Sequence, residues 1–242
     1  MDAKLTLERI YPNQMDEAGP SATHSLELHM ARYQFAARNC VGPRVLDIAC
    51  GCGYGTALMA KEHPDLQFVG VDVDPQAVEY AKAHYARSNV HFFCASLLDL
   101  NVVDQFDTVV SLETIEHLPN PMETLSALAR WVRPGGRLVG SVPVTPTMDG
   151  NPHHLCDFSA RSFKRLLAQC GFQTGVELRQ VQPWSLASSE ADSRSQGVAG
   201  NIMRYYSRYP WRVGSRLWSM VRYGFNNHYL TAVAHKADVA GG

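Results

Sequence analysis

Two carboxylates and three histidines in the middle of the chain have the residue types for acid–base or metal chemistry. Glu113, Glu116 and His117 form the pattern E-x-x-E-H directly after an apolar run, and His153 and His154 follow in a later loop. A neutral imidazole can accept a proton from a hydroxyl group near neutral pH. Carboxylates and imidazoles together can also hold a divalent cation that acidifies a bound hydroxyl. The pattern therefore indicates either a general base or a metal site.

His117 is the strongest candidate for the base, and it has Glu116 next to it in sequence. His154 would place the acceptor or share a metal, because its loop is expected at the carboxyl end of the next strand. The metal alternative uses Glu113, Glu116, His117 and His154 as ligands. A third interpretation makes His117 a purely structural residue that caps the following loop, and the residues alone favour neither role.

A glycine-rich turn earlier in the chain indicates a nucleoside site. The apolar run Val45 to Ile48 reads as a buried strand, and the small residues Ala49 to Gly55 then allow a tight turn into a helix. Free N–H groups at a helix N-terminus suit a polar or anionic ligand. Asp72 ends the next predicted strand, at the offset where a carboxylate binds ribose hydroxyls.

The spacing of the turn resembles motif I of the class I S-adenosylmethionine-dependent methyltransferases, D/E-x-G-x-G-x-G. Asp47, Gly51 and Gly53 match that motif, and Ala49 stands where the first glycine is usual. The resemblance implies S-adenosylmethionine as cofactor, with Asp47 orienting the methionine amino group. The backbone of Gly51 and Gly53 would then pass under the methionyl part, and Ala49 is expected in the cofactor site with them. An ordinary Rossmann-like unit that binds NAD, or no ligand, is the minor alternative.

The same resemblance implies roles for residues after the next three strands. Asp72, with Val73 after it, would hold the ribose. Ser96 and Leu97 follow the third strand, where the family usually has an acidic or polar residue beside adenine. Glu113 would line the cofactor pocket.

The sequence before motif I is similar to that of a bacterial subgroup of this family, which is often found with glycan biosynthesis. The shared pattern is H-x-x-R-Y-x-F-A, which contains Arg32 and Tyr33. The resemblance implies that Arg32 or Tyr33 contacts the methionine end of the cofactor. The alternative places Tyr33 in the helix core and Arg32 at the surface. The E-x-x-E-H pattern with a distant histidine also resembles the site of small-RNA 2′-O-methyltransferases, but over those few residues only.

Alternating strand and helix patterns predict a doubly wound, Rossmann-like α/β sheet, and the family resemblance implies seven strands with the last strand antiparallel. A single domain is expected, divided into four regions. They are an N-terminal helical cover (1–42), a cofactor-binding core (43–182), a lid insertion (183–227), and the last strand with its tail (228–242).

The second half of the insertion, 204–223, is basic and aromatic. Three roles are predicted for it: a solvated face, a binding surface for an anionic acceptor, or a segment that rests on a membrane surface. The formal net charge of −1 gives no global attraction to nucleic acid, so RNA is the least favoured partner. No apolar run suits a bilayer span, and six scattered cysteines fit the reducing cytoplasm.

The sequence thus predicts a cytoplasmic methyltransferase that O-methylates a small-molecule or sugar hydroxyl. A metal-dependent 2′-O-methyltransferase of RNA and a catalytically inactive binding module are the alternatives. The sequence does not indicate the oligomeric state.

Overall fold

The computed structural model describes residues 19–100, 106–144, 154–182 and 226–237, together with short pieces between 207 and 224. Strands and helices alternate along the chain as the residue patterns predict. The helices are α1 (Gly19–Asn39), α2 (Tyr54–Glu62), α3 (Pro75–Tyr85), α4 (Pro121–Trp131) and α5 (Ala160–Gln169). The strands are β1 (Arg44–Ile48), β2 (Gln67–Asp72), β3 (Val90–Cys94), β4 (Phe106–Leu112), β5 (Val132–Pro143), β6 (Phe172–Gln182) and β7 (Asn227–Lys236).

All seven strands form one sheet in the order β3-β2-β1-β4-β5-β7-β6. The first five strands pair in parallel, and β7 runs antiparallel to both β5 and β6. The predicted doubly wound fold with an antiparallel last strand is therefore confirmed. In such a sheet the order reverses between β1 and β4, and ligands bind outside the carboxyl ends of the strands at that point.

Helices cover both faces of the sheet and divide the core in two. On one face, α4 and α5 contribute Leu125, Leu128 and Phe163 to a cluster around the central strands. On the other face, Tyr33 of α1 and Met59 of α2 pack with residues of α3 and the sheet. The N-terminal helix is thus part of the core beside the glycine-rich turn.

Strand β5 contains an irregularity near its start. The strand extends from Val132, which pairs with Phe106 at the start of β4. The pairing register then shifts before Thr108, and Gly135 has a φ of 71°. A glycine in the left-handed region allows a bulge inside a strand, so the chain bends there without leaving the sheet.

The predicted lid insertion, 183–227, lies almost entirely outside the described residues. The described apolar side chains in its basic and aromatic half are exposed, among them Trp218 and Val221. Within the described ranges, no helix has both the length and the apolar character needed to cross a membrane.

Candidate active site

The glycine-rich turn connects β1 to α2 at the carboxyl edge of the sheet. Gly51 and Gly53 have φ values of 56° and 85°, a region that glycine enters without steric cost. Ala49 has a φ of 58°, at the position where the motif usually has glycine. A residue with a Cβ is strained in this conformation, by roughly 1 kcal/mol or more. The surrounding contacts therefore impose the turn on Ala49.

Asp72 fixes the end of β2 against this turn. Its Oδ2 accepts a hydrogen bond of 2.8 Å from the Gly51 amide, and its Oδ1 accepts one of 2.9 Å from the Asp74 amide. The Ala95 amide donates to the Asp72 carbonyl at 3.0 Å, which brings the end of β3 to the same place. The carboxylate is 5% exposed, so it lies under the turn rather than in bulk solvent.

The other residues expected around the nucleoside part lie at this edge as well. Val73 is 65% exposed directly after β2, and an apolar side chain on an open edge can cover the face of a purine ring. Ser96 and Leu97 are half-buried in the segment that follows β3. The structure thus brings the predicted ribose and adenine residues together.

Asp47 lies deeper than a ligand-binding carboxylate usually does. Its side chain is 1% exposed, and its Oδ2 accepts a hydrogen bond of 2.6 Å from the Thr56 hydroxyl. Burial raises the pKa of this carboxyl to about 7, although the hydroxyls of Thr56 and Tyr33 oppose that rise. Asp47 therefore ties β1 to the start of α2.

Glu113, directly after β4, has a constrained backbone and a fixed side chain. Its φ is 50°, which a non-glycine residue rarely adopts. The Ser141 hydroxyl on β5 donates a hydrogen bond of 2.6 Å to Oε1 of Glu113, and the Glu113 amide donates to Ser141 Oγ at 3.0 Å. These contacts hold the carboxylate at the switch point of the sheet.

Arg32 reaches Glu113 from α1, the helix that covers the turn. The distance from its Nε to Oε1 of Glu113 is 3.9 Å, and its guanidinium carbon lies 4.3 Å from the ring centroid of Tyr229 on β7. Arg32 is 2% exposed, so the interpretation that it lies at the surface is wrong. The physical reason is that Tyr229 and Glu113 supply an aromatic face and a negative charge inside the fold. Tyr33, its neighbour, packs against Gly55 in the core.

Glu116, His117 and His154 meet on the other side of the same crevice. A short 3₁₀ turn, Ile115–His117, follows β4, and the amides of Leu155 and Cys156 both donate to the Glu116 carbonyl, at 2.8 and 3.1 Å. These bonds attach the later loop to the turn. The His117 and His154 ring centroids are 4.9 Å apart, with the rings edge to face.

One potential ligand atom from each of Glu116, His117 and His154 lies within 4.8 Å of the others. Glu116 is fully buried, and the two imidazoles are half-buried. Such a group can hold a proton or a divalent cation, since imidazole nitrogen and carboxylate oxygen bind both. Glu113 is outside this group, because its carboxylate is engaged by Ser141 and faces Arg32. His153 falls outside the described residues.

Sequence reasoning missed two residues that shape the site, Ser141 and Tyr229. Each lies on a late strand, and its role depends on which strand pairs beside it. Ser141 pairs with Leu112 of β4, and so it reaches the residue that follows that strand. The sequence of β5 carries no local signal for this contact.

Comparison with known proteins agrees with the fold and the glycine turn. A family profile described as "Methyltransferase domain" matches residues 45–136. An S-adenosylmethionine-dependent methyltransferase of Mycobacterium tuberculosis is 32% identical over 200 residues, covering 76% of this chain and 68% of the relative. A ubiquinone biosynthesis O-methyltransferase of Xanthomonas oryzae pv. oryzae is 30% identical over 213 residues, covering 84% of this chain and 83% of the relative.

Solved structures extend the similarity to the architecture. The O-methyltransferase region of StiE superposes with a TM-score of 0.63 at 15% identity, covering 95% of this chain and 84% of that one. The [4+2]-cyclase SpnF superposes with a TM-score of 0.61 at 20% identity, covering 86% of this chain and 81% of that one. These two comparisons concern the fold alone. Taken with the sequence relatives, they lead to one assignment: the chain belongs to the class I S-adenosylmethionine-dependent methyltransferases.

Proposed function

We propose that this protein transfers the methyl group of S-adenosylmethionine to a hydroxyl group of a small molecule or sugar in the cytoplasm. The observation that carries the proposal is the position of His117, next to His154 and the buried Glu116, at the sheet edge that also holds the glycine turn. An O-methyltransferase among the relatives supports oxygen as the accepting atom.

In this proposal the cofactor lies along the carboxyl edge of the sheet. Asp72 and Val73 hold the ribose, and Ser96 and Leu97 line the adenine. The turn from Ala49 to Gly53 passes under the methionine part. The support is geometric. Asp72 accepts a hydrogen bond from the Gly51 amide, so a single ligand can contact both Asp72 and the glycine turn. Asp47, Arg32, Tyr33 and Glu113 surround the methionine end.

His117 acts as the general base. A hydroxyl group is a weak nucleophile until it loses its proton, and a neutral imidazole within hydrogen-bond reach can take that proton as the carbon–oxygen bond forms. S-adenosylmethionine, when bound, would supply the electrophilic methyl group for that bond, with S-adenosylhomocysteine as the leaving group. Glu116 stabilises the imidazolium, because a carboxylate close to a cation favours the charged form. His154 positions the acceptor.

A metal-assisted version of the same reaction is the second candidate, and the grouping of Glu116, His117 and His154 favours it. A cation on these three side chains would be a Lewis acid that lowers the pKa of a bound hydroxyl. Two imidazoles favour zinc over magnesium or manganese, which prefer oxygen ligands. With His117 bound to a cation, the proton would pass to solvent instead.

The fold alone does not imply methyl transfer, since a [4+2]-cyclase shares it. The test is turnover: labelled S-adenosylmethionine is incubated with the protein and a panel of sugars, phenols and a short RNA. The proposal expects labelled product from a hydroxylated small molecule and none from RNA. Labelled RNA would contradict it. Binding of S-adenosylhomocysteine with no transfer to small molecules in an extract of the source cells would instead indicate an inactive binding module.

A further inference from the structure

Apolar side chains line one face of a helical segment that precedes β7. Val213, Leu217, Trp218 and Val221 have helical backbone, and the Val213 amide donates to the Pro210 carbonyl at 3.2 Å. Residues three or four positions apart lie on the same face of a helix. Val213, Leu217 and Val221 therefore form a row, and Trp218 lies beside Val221. These four residues are called the apolar stripe below.

The apolar stripe faces solvent. The exposed fractions of its members are 40% for Val213, 58% for Leu217, 68% for Trp218 and 82% for Val221. Among the described residues from 210 to 221, none has a polar side chain. A single exposed apolar residue is ordinary, but a row of large ones on one face marks contact with another surface.

The stretch that contains the stripe is strongly basic. From Arg194 to Lys236 the sequence has seven of the 22 basic residues of the chain and none of the 23 acidic ones. The rest of the chain therefore has a net charge of −8. An anionic surface would attract this stretch and repel the remainder, which also fixes the orientation of the protein on that surface.

An anionic lipid surface fits this combination better than the other polyanions do. Valine and leucine side chains gain free energy when they enter the boundary between headgroups and acyl chains, and tryptophan favours that same boundary. Nucleic acid is bound mainly through donors to its phosphates and base edges, and the apolar stripe offers none.

We propose that the apolar stripe docks the protein on an anionic lipid bilayer, with Val213, Leu217, Trp218 and Val221 in the headgroup boundary and the basic residues of the same stretch near the lipid phosphates. This is surface attachment by one helix face. It is independent of the methyl acceptor and of the residue that takes its proton.

Chain connectivity relates the docking face to the proposed active site. Gln182 at the end of β6 pairs with Asn227 at the start of β7, so the stretch leaves and rejoins the sheet at its carboxyl edge. Six residues lead from Val221 to Asn227, which limits the separation of their Cα atoms to about 22 Å. Docking therefore keeps the edge that carries the glycine turn close to the lipid surface.

The test is flotation of the full-length protein with two kinds of vesicle. One kind is pure phosphatidylcholine, and the other has about a third of its lipid replaced by phosphatidylglycerol. We expect binding to the anionic vesicles that is roughly tenfold or more stronger than to the neutral ones and that weakens with added salt. The double variant Leu217→Ser, Trp218→Ser should bind the anionic vesicles roughly tenfold or more weakly.

Val176→Ser is the matched control, because it removes an apolar side chain of 56% exposure on β6, outside the stripe. It should bind vesicles as wild type does. The fluorescence of Trp218, taken as the difference between wild type and Trp218→Phe, should shift to shorter wavelength when anionic vesicles are added. Calorimetric titration with S-adenosylhomocysteine should give equal affinities for wild type and the double variant, which shows that the variant is folded.

Two results would overturn the proposal. The first is equal binding of wild type and the double variant to anionic vesicles, or no vesicle binding by either. The second is sedimentation without lipid in which wild type self-associates and the double variant does not, with no shift of the Trp218 emission on vesicles, because the stripe would then be an interface between copies of this chain. Neither result bears on methyl transfer, so this proposal and the proposed function fail separately.

Discussion

The imidazole rings of His117 and His154 meet edge to face with their centroids 4.9 Å apart, although they belong to connections after different strands. Two backbone hydrogen bonds to the Glu116 carbonyl hold the connections together. The pair therefore exists only in the folded chain. In the proposed reaction, this edge of the sheet is where the acceptor hydroxyl approaches the cofactor and the imidazole takes its proton.

Replacing His117 by Ala should reduce kcat by roughly a hundredfold or more if the imidazole takes the proton. The affinity for S-adenosylhomocysteine should change little, because the proposed cofactor contacts lie elsewhere. His91→Ala is the control, since His91 is an exposed histidine on β3. A parallel loss of cofactor affinity and stability in His117→Ala would make the residue structural.

Removing divalent cations distinguishes the two versions of the chemistry. With a metal-free base, the activity of protein dialysed against chelator should equal that of untreated protein. Titration with zinc, manganese or magnesium should then show no binding that depends on His154. If instead activity falls and returns with one of these ions, and His154→Ala binds that ion more weakly, the three-residue group is a metal site.

Asp47 should make the stability of the protein depend on pH. Its carboxyl has a pKa of about 7 in the folded state, against 3.8 as the reference value, so the folded state retains a proton that the unfolded state loses. The resulting stabilisation is complete below the unfolded pKa and is lost as pH rises toward 7. From about pH 5 to about pH 8, the free energy of unfolding of wild type should fall by roughly 2–3 kcal/mol relative to Asp47→Asn. Urea denaturation of both proteins at the two pH values measures this, and a constant difference would contradict the buried-acid assignment.

Gly55 should not tolerate a side chain. A Cβ at this position would lie 2.1 Å from the Tyr33 ring, so Gly55→Ala must displace the ring or the helix. We expect a loss of about 1–3 kcal/mol in stability and weaker binding of S-adenosylhomocysteine. Thermal unfolding and calorimetry provide the two measurements. Gly214→Ala is the control, because a Cβ there meets nothing within 4 Å. Partial recovery in the double variant with Tyr33→Leu would locate the clash, and an unaffected Gly55→Ala would contradict it.

The fold was predictable where its signals are local. The strand β1, the glycine turn and Asp72 are marked by residue type and spacing within one βαβ unit, and the structure brings them together as predicted. The burial of Arg32 could not be predicted in this way, because it depends on Tyr229, which is far away in sequence and adjacent only once β7 inserts beside β5.

In the candidate site, too, the sequence predicts only the contacts that a local pattern specifies. The E-x-x-E-H pattern predicts that Glu116 and His117 act together, and His154 joins them. It also groups Glu113 with them, whereas the left-handed φ of that residue directs its carboxylate to Ser141 and Arg32. The E-x-x-E-H spacing cannot reveal that Glu113 adopts a left-handed backbone conformation.

The position of the transferred methyl group tests most directly whether the protein methylates oxygen with His117 as the base. Wild type and His117→Ala are each incubated with S-adenosylmethionine carrying a carbon-13 methyl label and with small-molecule extract of the source cells, and heteronuclear NMR then identifies the atom bonded to the label. We expect a methyl group on oxygen, formed by wild type and roughly a hundredfold more slowly by the variant. A label on nitrogen, sulfur or carbon, or equal rates for the two proteins, would contradict it.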